Sequence, residues 1–172
     1  MKTNRGLFAV LLTLWLVAGQ AAVAGKLIDL KVTDDDGVYT IRVNMVVYAA
    51  PEHVYDVLTD YRHIHRLNPS ITESELLPVA ADGLARVRTR IEDCVFIFCV
   101  DLVRVENVRA VQAGHLSAEM DPKASDFDYG RTEWWILQLG DYSRVVFEAR
   151  LQPGFTLPPV IGPYIIKRNM RA

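Results

Sequence analysis

The stretch that decides the fold is YTIRVNMVVYAAPEHVYDVLTDYRHIHRLNP, residues 39–69. In its first ten residues apolar side chains occupy every second position, which predicts a β-strand with one buried face. These side chains are Tyr39, Ile41, Val43, Met45 and Val47. Pro51 and Glu52 then suit the first turn of a helix, because that turn needs no proline N–H and favours negative charge. A second short helix is predicted to end at Pro69.

Beyond Pro69 the alternation continues and predicts about six further antiparallel strands. Gly140 and Asp141 mark the turn of a hairpin between the last two of them. A final helix is predicted to begin near Pro163, and it is the candidate cover for the apolar face of the sheet. The chain therefore predicts one α+β domain over residues 38–172, preceded by a lead-in over residues 25–37.

The N-terminal segment has the composition of a secretory signal peptide. Lys2 and Arg5 precede an apolar run over residues 7–18, and small residues follow up to Ala24. The alternative is a membrane anchor, but the run is shorter than the roughly 20 residues that cross a bilayer. We therefore expect residues 1–24 to be removed from an exported protein, which is periplasmic if the source is a Gram-negative bacterium.

Composition and the absence of known motifs argue against nucleic-acid binding and against several kinds of catalytic or metal site. The net charge of −2 argues against a nucleic-acid partner, which would need a clustered basic face. The chain contains no Gly-x-Ser-x-Gly nucleophile motif, no phosphate-binding glycine loop and no His-Glu-x-x-His zinc motif. His63 and His65 are two positions apart and would point to different faces of a helix, so we predict no metal site and no cofactor.

A few carboxylates and phenols are candidates for acid–base work, namely Tyr61, Glu92, Asp93, Asp101 and Tyr129. Such work requires a perturbed pKa and a substrate within reach. For each of these residues a solvated or locally hydrogen-bonded side chain is the favoured interpretation. We assign no catalytic residue, and a protein without enzymatic activity is favoured over an enzyme.

The order of elements and three short motifs resemble the START-like (SRPBCC) superfamily, especially its polyketide-cyclase and coenzyme-Q-binding branch. The motifs are APEHVY at 50–55, LTDY at 58–61 and LNP at 67–69, and the similarity covers residues 38–172. The resemblance implies a helix-grip fold. In that fold a curved antiparallel sheet, here of about seven strands with two short helices, wraps a C-terminal helix and leaves an apolar cavity.

The resemblance also implies a function. We expect a non-enzymatic protein that binds or carries a hydrophobic ligand, such as a lipid or an isoprenoid quinone, without nucleic acid as a partner. The alternative is a polyketide aromatase/cyclase-type enzyme on the same fold. The residues predicted to line the pocket are Leu58, Tyr61, Leu67, Trp134, Ile136, Val145, Phe147 and Ile165.

The last helix is a departure from the family pattern. The gripped helix of such proteins is usually long, whereas the segment from Tyr164 onward amounts to about 13 Å of helix at 1.5 Å per residue. We expect either a truncated chain or an unusually open cavity.

Cys94 and Cys99 are the only cysteines. On one continuous strand they would point to opposite faces, whereas a hairpin tip at residues 95–98 would place them opposite each other. The helix-grip order requires a turn near here, which favours a structural disulfide over buried free thiols or over a metal or redox site.

The tip would then carry Val95, Phe96, Ile97 and Phe98 as an apolar patch that contacts a membrane transiently or gates the cavity. Packing of the tip into the core is the alternative.

Overall fold

The computed structural model describes residues 25–79, 83–95, 97–156 and 161–170. The predicted signal peptide and Phe96 lie outside these residues. Eight antiparallel strands form one sheet in the order β1-β2-β8-β7-β6-β5-β4-β3. The strands are β1 (Gly25–Asp35), β2 (Val38–Val47), β3 (Ile71–Leu77), β4 (Ala85–Val95), β5 (Phe98–Gln112), β6 (His115–Met120), β7 (Phe127–Leu139) and β8 (Tyr142–Pro153).

The helices are short. α1 (Pro51–Thr59) follows β2 directly, a single 3₁₀ turn (Ile64–Arg66) leads into β3, and α2 (Ile161–Asn169) follows β8. The predicted helix near Pro163 is thus α2, and it begins two residues before that proline. Neither α-helix of the described chain has the length and apolar character that a membrane span requires. The α+β helix-grip prediction is confirmed.

The sheet has eight strands rather than about seven because the predicted lead-in contains β1, which pairs with β2 along its length. Most β1 side chains are exposed, and only Leu30 and Val32 pack against the core. An edge strand of this kind has weak alternation in its sequence, since little of its surface needs to be buried. A bulge at Ile28 interrupts the pairing further.

The strand register brings the alternating apolar residues of all central strands onto one face, here called the inner face. Val43 of β2 lies opposite Phe147 of β8, which in turn lies opposite Trp134 of β7. Ile166 of α2 packs on this cluster. The other end of the inner face is covered by α1, whose Val54 packs against the strands β7 and β8.

The entry into α1 is held by one buried hydrogen bond. The hydroxyl of Ser143, which is fully buried, donates to the carbonyl oxygen of Ala49 at 2.7 Å. Pro51 occupies the first turn and Glu52 contributes its charge there, as the sequence predicts. The start of β8 therefore positions the helix that covers it.

On the opposite, outer face a carboxylate collects three hydrogen bonds. Glu133 Oε2 lies 2.7 Å from His115 Nε2, and Glu133 Oε1 accepts bonds of 2.9 Å from Ser117 Oγ and from Arg131 Nε. The indole of Trp135 stacks on the His115 ring at 5.2 Å. Burial by itself raises the pKa of Glu133, but the hydrogen bonds from these three partners outweigh it and lower the pKa below 4.5.

A lowered pKa in the folded state stabilises the protein at pH values above the ordinary pKa of 4.5, and this contribution is lost as the pH falls through the folded value. We expect the free energy of unfolding of the wild type to fall more steeply below pH 4.5 than that of Glu133→Gln. The reason is that the glutamine side chain, unlike the carboxylate, takes up no proton in this range. Urea unfolding at a series of pH values measures this. Glu119→Gln, an exposed neighbour of Arg131, is the control, and equal slopes for all three proteins would contradict the prediction.

Candidate functional site

Two of the cavities in the described chain, here called chambers, lie between the inner face and the helices and share Arg104 in their linings. The first, here called the α1 chamber, has a volume of about 80 Å³ and lies between the helical segment 58–67 and the sheet. The second, the α2 chamber, has a volume of about 130 Å³ and lies under α2. The α1 chamber is lined by Leu58, Tyr61, Ile64, Leu67, Val87, Arg104, Glu106, Val108, Leu116, Ala118, Thr132 and Trp134. The α2 chamber is lined mainly by apolar residues from β2, β4, β5, β8 and α2.

The space exists because small residues form the floor at the centre of the sheet. Ala118 of β6 lies opposite Thr132 of β7, and Thr132 lies opposite Ala149 of β8. All three are buried, and Ala118 and Thr132 line the α1 chamber. The floor and the short helices together leave a gap that protein side chains do not fill.

Arg104 lines both chambers and therefore lies between them. Its Nε donates to the hydroxyl of Thr89 at 3.2 Å and lies 3.2 Å from Glu106 Oε2. Glu106 is only 8% exposed, and its other oxygen, Oε1, has no hydrogen-bond partner among the described residues. Burying an unpaired carboxylate oxygen costs free energy, so this oxygen is a place where a polar group of a ligand would be favourable.

Tyr61 adds a phenol to the α1 chamber. Burial, and to a lesser extent the neighbouring Tyr55, raises the pKa of Tyr61 above 10.0. The phenol therefore stays protonated at neutral pH and can donate a hydrogen bond into the chamber. Tyr61 is the one predicted acid–base candidate that lines either chamber in the described chain.

The other acid–base candidates are engaged elsewhere. Glu92 and Asp101 form ion pairs with Arg90 on the outer face, and Tyr129 is exposed. Asp93 binds the guanidinium of Arg168 at the end of α2.

The predicted pocket residues fall into three groups: those that line the α1 chamber, one that lines the α2 chamber, and those that lie only in the core clusters. Leu58, Tyr61, Leu67 and Trp134 line the α1 chamber, and Ile165 lines the α2 chamber. Ile136 and Val145 pack under α1 around Val54, and Phe147 lies in the core with its ring 4.3 Å from that of Trp134. Contact of any of them with a ligand stays a prediction.

Arg104 and Glu106 are not among the site residues predicted from the sequence. A signal was present, because Leu102, Arg104, Glu106 and Val108 alternate along β5 and must share a face. Two charges between apolar residues on the inward face of a strand indicate a buried polar site. Recognising it required knowing which face of β5 turns inward.

The cysteine prediction is resolved by the pairing of β4 and β5. Cys94 lies directly opposite Cys99, and the two form a disulfide, so they are neither free thiols nor metal ligands. Ile97 at the tip between them is 89% exposed. This residue does not pack into the core.

A curved antiparallel sheet that encloses a cavity beneath a C-terminal helix defines the helix-grip class of proteins. The family described as "Polyketide cyclase / dehydrase and lipid transport" matches residues 47–168, and this chain belongs to that family. The resemblance found in the sequence is thereby confirmed. No curated protein sequence matches the chain.

Solved structures show the same fold at low sequence identity. A START superfamily protein from Mycobacterium smegmatis has 16% identity and a TM-score of 0.63, covering 77% of this chain and 89% of that one. Human StAR-related lipid transfer protein 5 has 16% identity and a TM-score of 0.60, covering 87% and 82%. The Zhui aromatase/cyclase of a Streptomyces species has 14% identity and a TM-score of 0.57, covering 78% and 85%.

The buried ion pair can be tested by a double-mutant cycle. Arg104→Met should destabilise the protein by about 3 kcal/mol, because it leaves the Glu106 carboxylate buried without its partner. Arg104→Met/Glu106→Leu should recover most of that loss, since an apolar pair needs no solvation. Chemical unfolding of the wild type, both single variants and the double variant measures the coupling. Additive effects would show that the two side chains do not form a buried pair.

Proposed function

We propose that this protein is exported and that it binds and carries an amphiphilic lipid-like molecule, such as a lipid or an isoprenoid quinone, without transforming it. The observation that carries the proposal is the position of Arg104 between two apolar chambers, beside a Glu106 oxygen that lacks a hydrogen-bond partner in the part of the chain that the structure describes. Family membership supports it, and so does the fold shared with a protein named as a lipid transfer protein.

The apolar linings supply the affinity. Each square ångström of apolar surface removed from water contributes about 25 cal/mol, so a hydrocarbon chain gains affinity with every methylene it buries. A few polar groups then suffice to orient the molecule. Arg104 can donate to a carbonyl oxygen of the ligand, and Glu106 Oε1 can accept from a hydroxyl.

The size of the chambers determines how the ligand must sit. Each is smaller than the roughly 150 Å³ of an apolar cavity that accepts benzene, and well below the roughly 300–1,000 Å³ of typical small-molecule pockets. A long molecule therefore has to extend through both chambers. Arg104 must move aside as the ligand enters, and its guanidinium then lies beside the chain or the head group.

Ligand binding can be followed through Trp134, whose indole lines the α1 chamber. A short-chain ubiquinone analogue, decylubiquinone, should quench the tryptophan fluorescence of the wild type on titration. Ala118→Leu places a larger side chain on the chamber floor and should weaken binding about tenfold or more, which is ~1.4 kcal/mol.

The matched control is Ala110→Leu, the same change at an exposed position of β5. Circular dichroism checks that both variants fold, since an added side chain in a packed interior can destabilise.

Native mass spectrometry of protein isolated from its own compartment should also detect a bound lipid or quinone. Absence of co-purified ligand together with no saturable quenching would exclude the carrier function.

A carrier must also collect its cargo, and the hairpin tip offers a contact with the bilayer. Ile97 is exposed at the end of a hairpin that the disulfide closes. An exposed apolar side chain at such a tip can enter the lipid interface. We include transient membrane contact in the proposed function.

Flotation with phosphatidylcholine/phosphatidylglycerol liposomes tests this contact. Ile97→Ser should reduce the floated fraction several-fold, because the inserted apolar surface is lost. Val79→Ser removes a similarly exposed side chain away from the tip and serves as the control. Equal flotation of Ile97→Ser and the wild type would remove the membrane contact from the proposal and leave ligand binding untouched.

A further inference from the structure

At the C-terminal end of α2, one side chain makes polar contacts with the sheet. The guanidinium of Arg168 binds the carboxylate of Asp93 and donates to the carbonyl oxygen of Cys94 at 3.0 Å. Asp93 is held in place in turn, because its Oδ1 accepts the amide N–H of Cys94 at 2.8 Å. We call these contacts the α2 latch.

The helix held by the latch is the cover of the α2 chamber. Ile165, on the side of α2 that faces the sheet, is buried, and Ile166 and Met170 line the same chamber. At its other end Gly162 lies against the ring of Tyr39, so closely that an added Cβ would be 2.4 Å from the phenol oxygen. The first turn is therefore set against β2, and release of the C-terminal end would open the chamber towards the β4–β5 tip.

Both acceptors of the latch lie next to the disulfide. Cys94 supplies the carbonyl oxygen, and Asp93 precedes it in the chain. Cys94 and Cys99 face each other one rung from the end of the ladder, and both residues are exposed. An exposed disulfide is open to attack by a thiolate, unlike a bond within a core.

We propose that the Cys94–Cys99 disulfide controls how firmly α2 is closed, and that its reduction by a dithiol reductant opens the α2 chamber. In that reaction one thiolate of the reductant attacks a cysteine sulfur, the S–S bond breaks, and a mixed disulfide forms as the other cysteine leaves as a thiolate. The second thiol of the reductant then displaces the first cysteine. The protein gains two electrons and two protons as two thiols, and the reductant leaves as a disulfide.

The disulfide acts on α2 because it limits fraying of the β4–β5 hairpin tip, to which Arg168 is bound. Without it the last rungs before the turn, Asp93↔Val100 to Val95↔Phe98, are held only by strand pairing and by the turn that joins the two strands. Asp93 is only 6% exposed, and its Oδ2 has no partner among the described residues. A frayed tip hydrates this carboxylate, and hydration competes with Arg168 for it.

Hydrogen–deuterium exchange of the α2 amides tests the proposal without any ligand. Reduction with dithiothreitol should speed exchange across residues 161–170 about tenfold, while the amides of β7 and β8 stay unchanged. Arg168→Gln in the oxidised protein should give a similar increase, and its reduction should add little more. Lys167→Gln, the exposed neighbour on the same helix turn, is the matched control and should behave as the wild type.

Cys94→Ser/Cys99→Ser, which cannot form the bond, should resemble the reduced wild type and be insensitive to dithiothreitol. Unchanged α2 exchange on reduction would overturn the proposal. Equal and fully additive effects of reduction and Arg168→Gln would also overturn it, since they would show two independent attachments.

A second measurement rests on the proposed function: release of decylubiquinone should quicken by a similar factor in the reduced protein. Unchanged release from a protein that binds the quinone would overturn control of access to the chamber. If no quinone binds in either redox state, the carrier function fails, and the exchange of the α2 amides still decides whether the latch responds to the disulfide.

Discussion

One constraint dominates this protein: a wide sheet has a single apolar face and very little helix to cover it. Eight strands spaced about 4.8 Å apart span roughly 34 Å, whereas each nine-residue helix is about 13 Å long. The helices protect the two ends of the inner face through packing around Val54 and Ile165. Space remains between them, and the small residues on the central strands enlarge it.

The strand β5 places charge at the boundary between the two chambers. Arg104 and Glu106 are costly to bury, and the hydroxyl of Thr89 offsets only part of the cost. A core built for stability alone would have apolar residues at these positions. Arg104 instead lies between two small, mainly apolar volumes, and one oxygen of Glu106 has no partner among the described residues. This arrangement is suited to a molecule with a polar group on a hydrocarbon frame.

The closure of the cavity depends on elements far apart in the chain. Arg168 lies 74 residues from Cys94, whose carbonyl oxygen it binds, and no local pattern in the sequence predicts that contact. The cysteine spacing was compatible with a hairpin tip, and the strand order implied by the family resemblance favoured that tip and a disulfide. The consequence of the disulfide for α2 arises only when the C-terminal helix folds back over the sheet.

Alternation and helix-start signals predicted the α+β class, the strand–helix entry at residues 39–59 and most of the strands. The sequence suffices for these features because such signals are local and each strand has one buried face. It missed β1, since an edge strand buries too little to show a clear period. Packing between distant parts of the chain separates the predicted residues that line a chamber from those that lie only in the core clusters. Trp134 and Ile136 have the same alternation in β7, but Trp134 lines the α1 chamber, whereas Ile136 lines neither chamber and packs with Val54 of α1. The reason is that alternation specifies the face on which a side chain lies, whereas a cavity depends on what the rest of the chain fails to place above it.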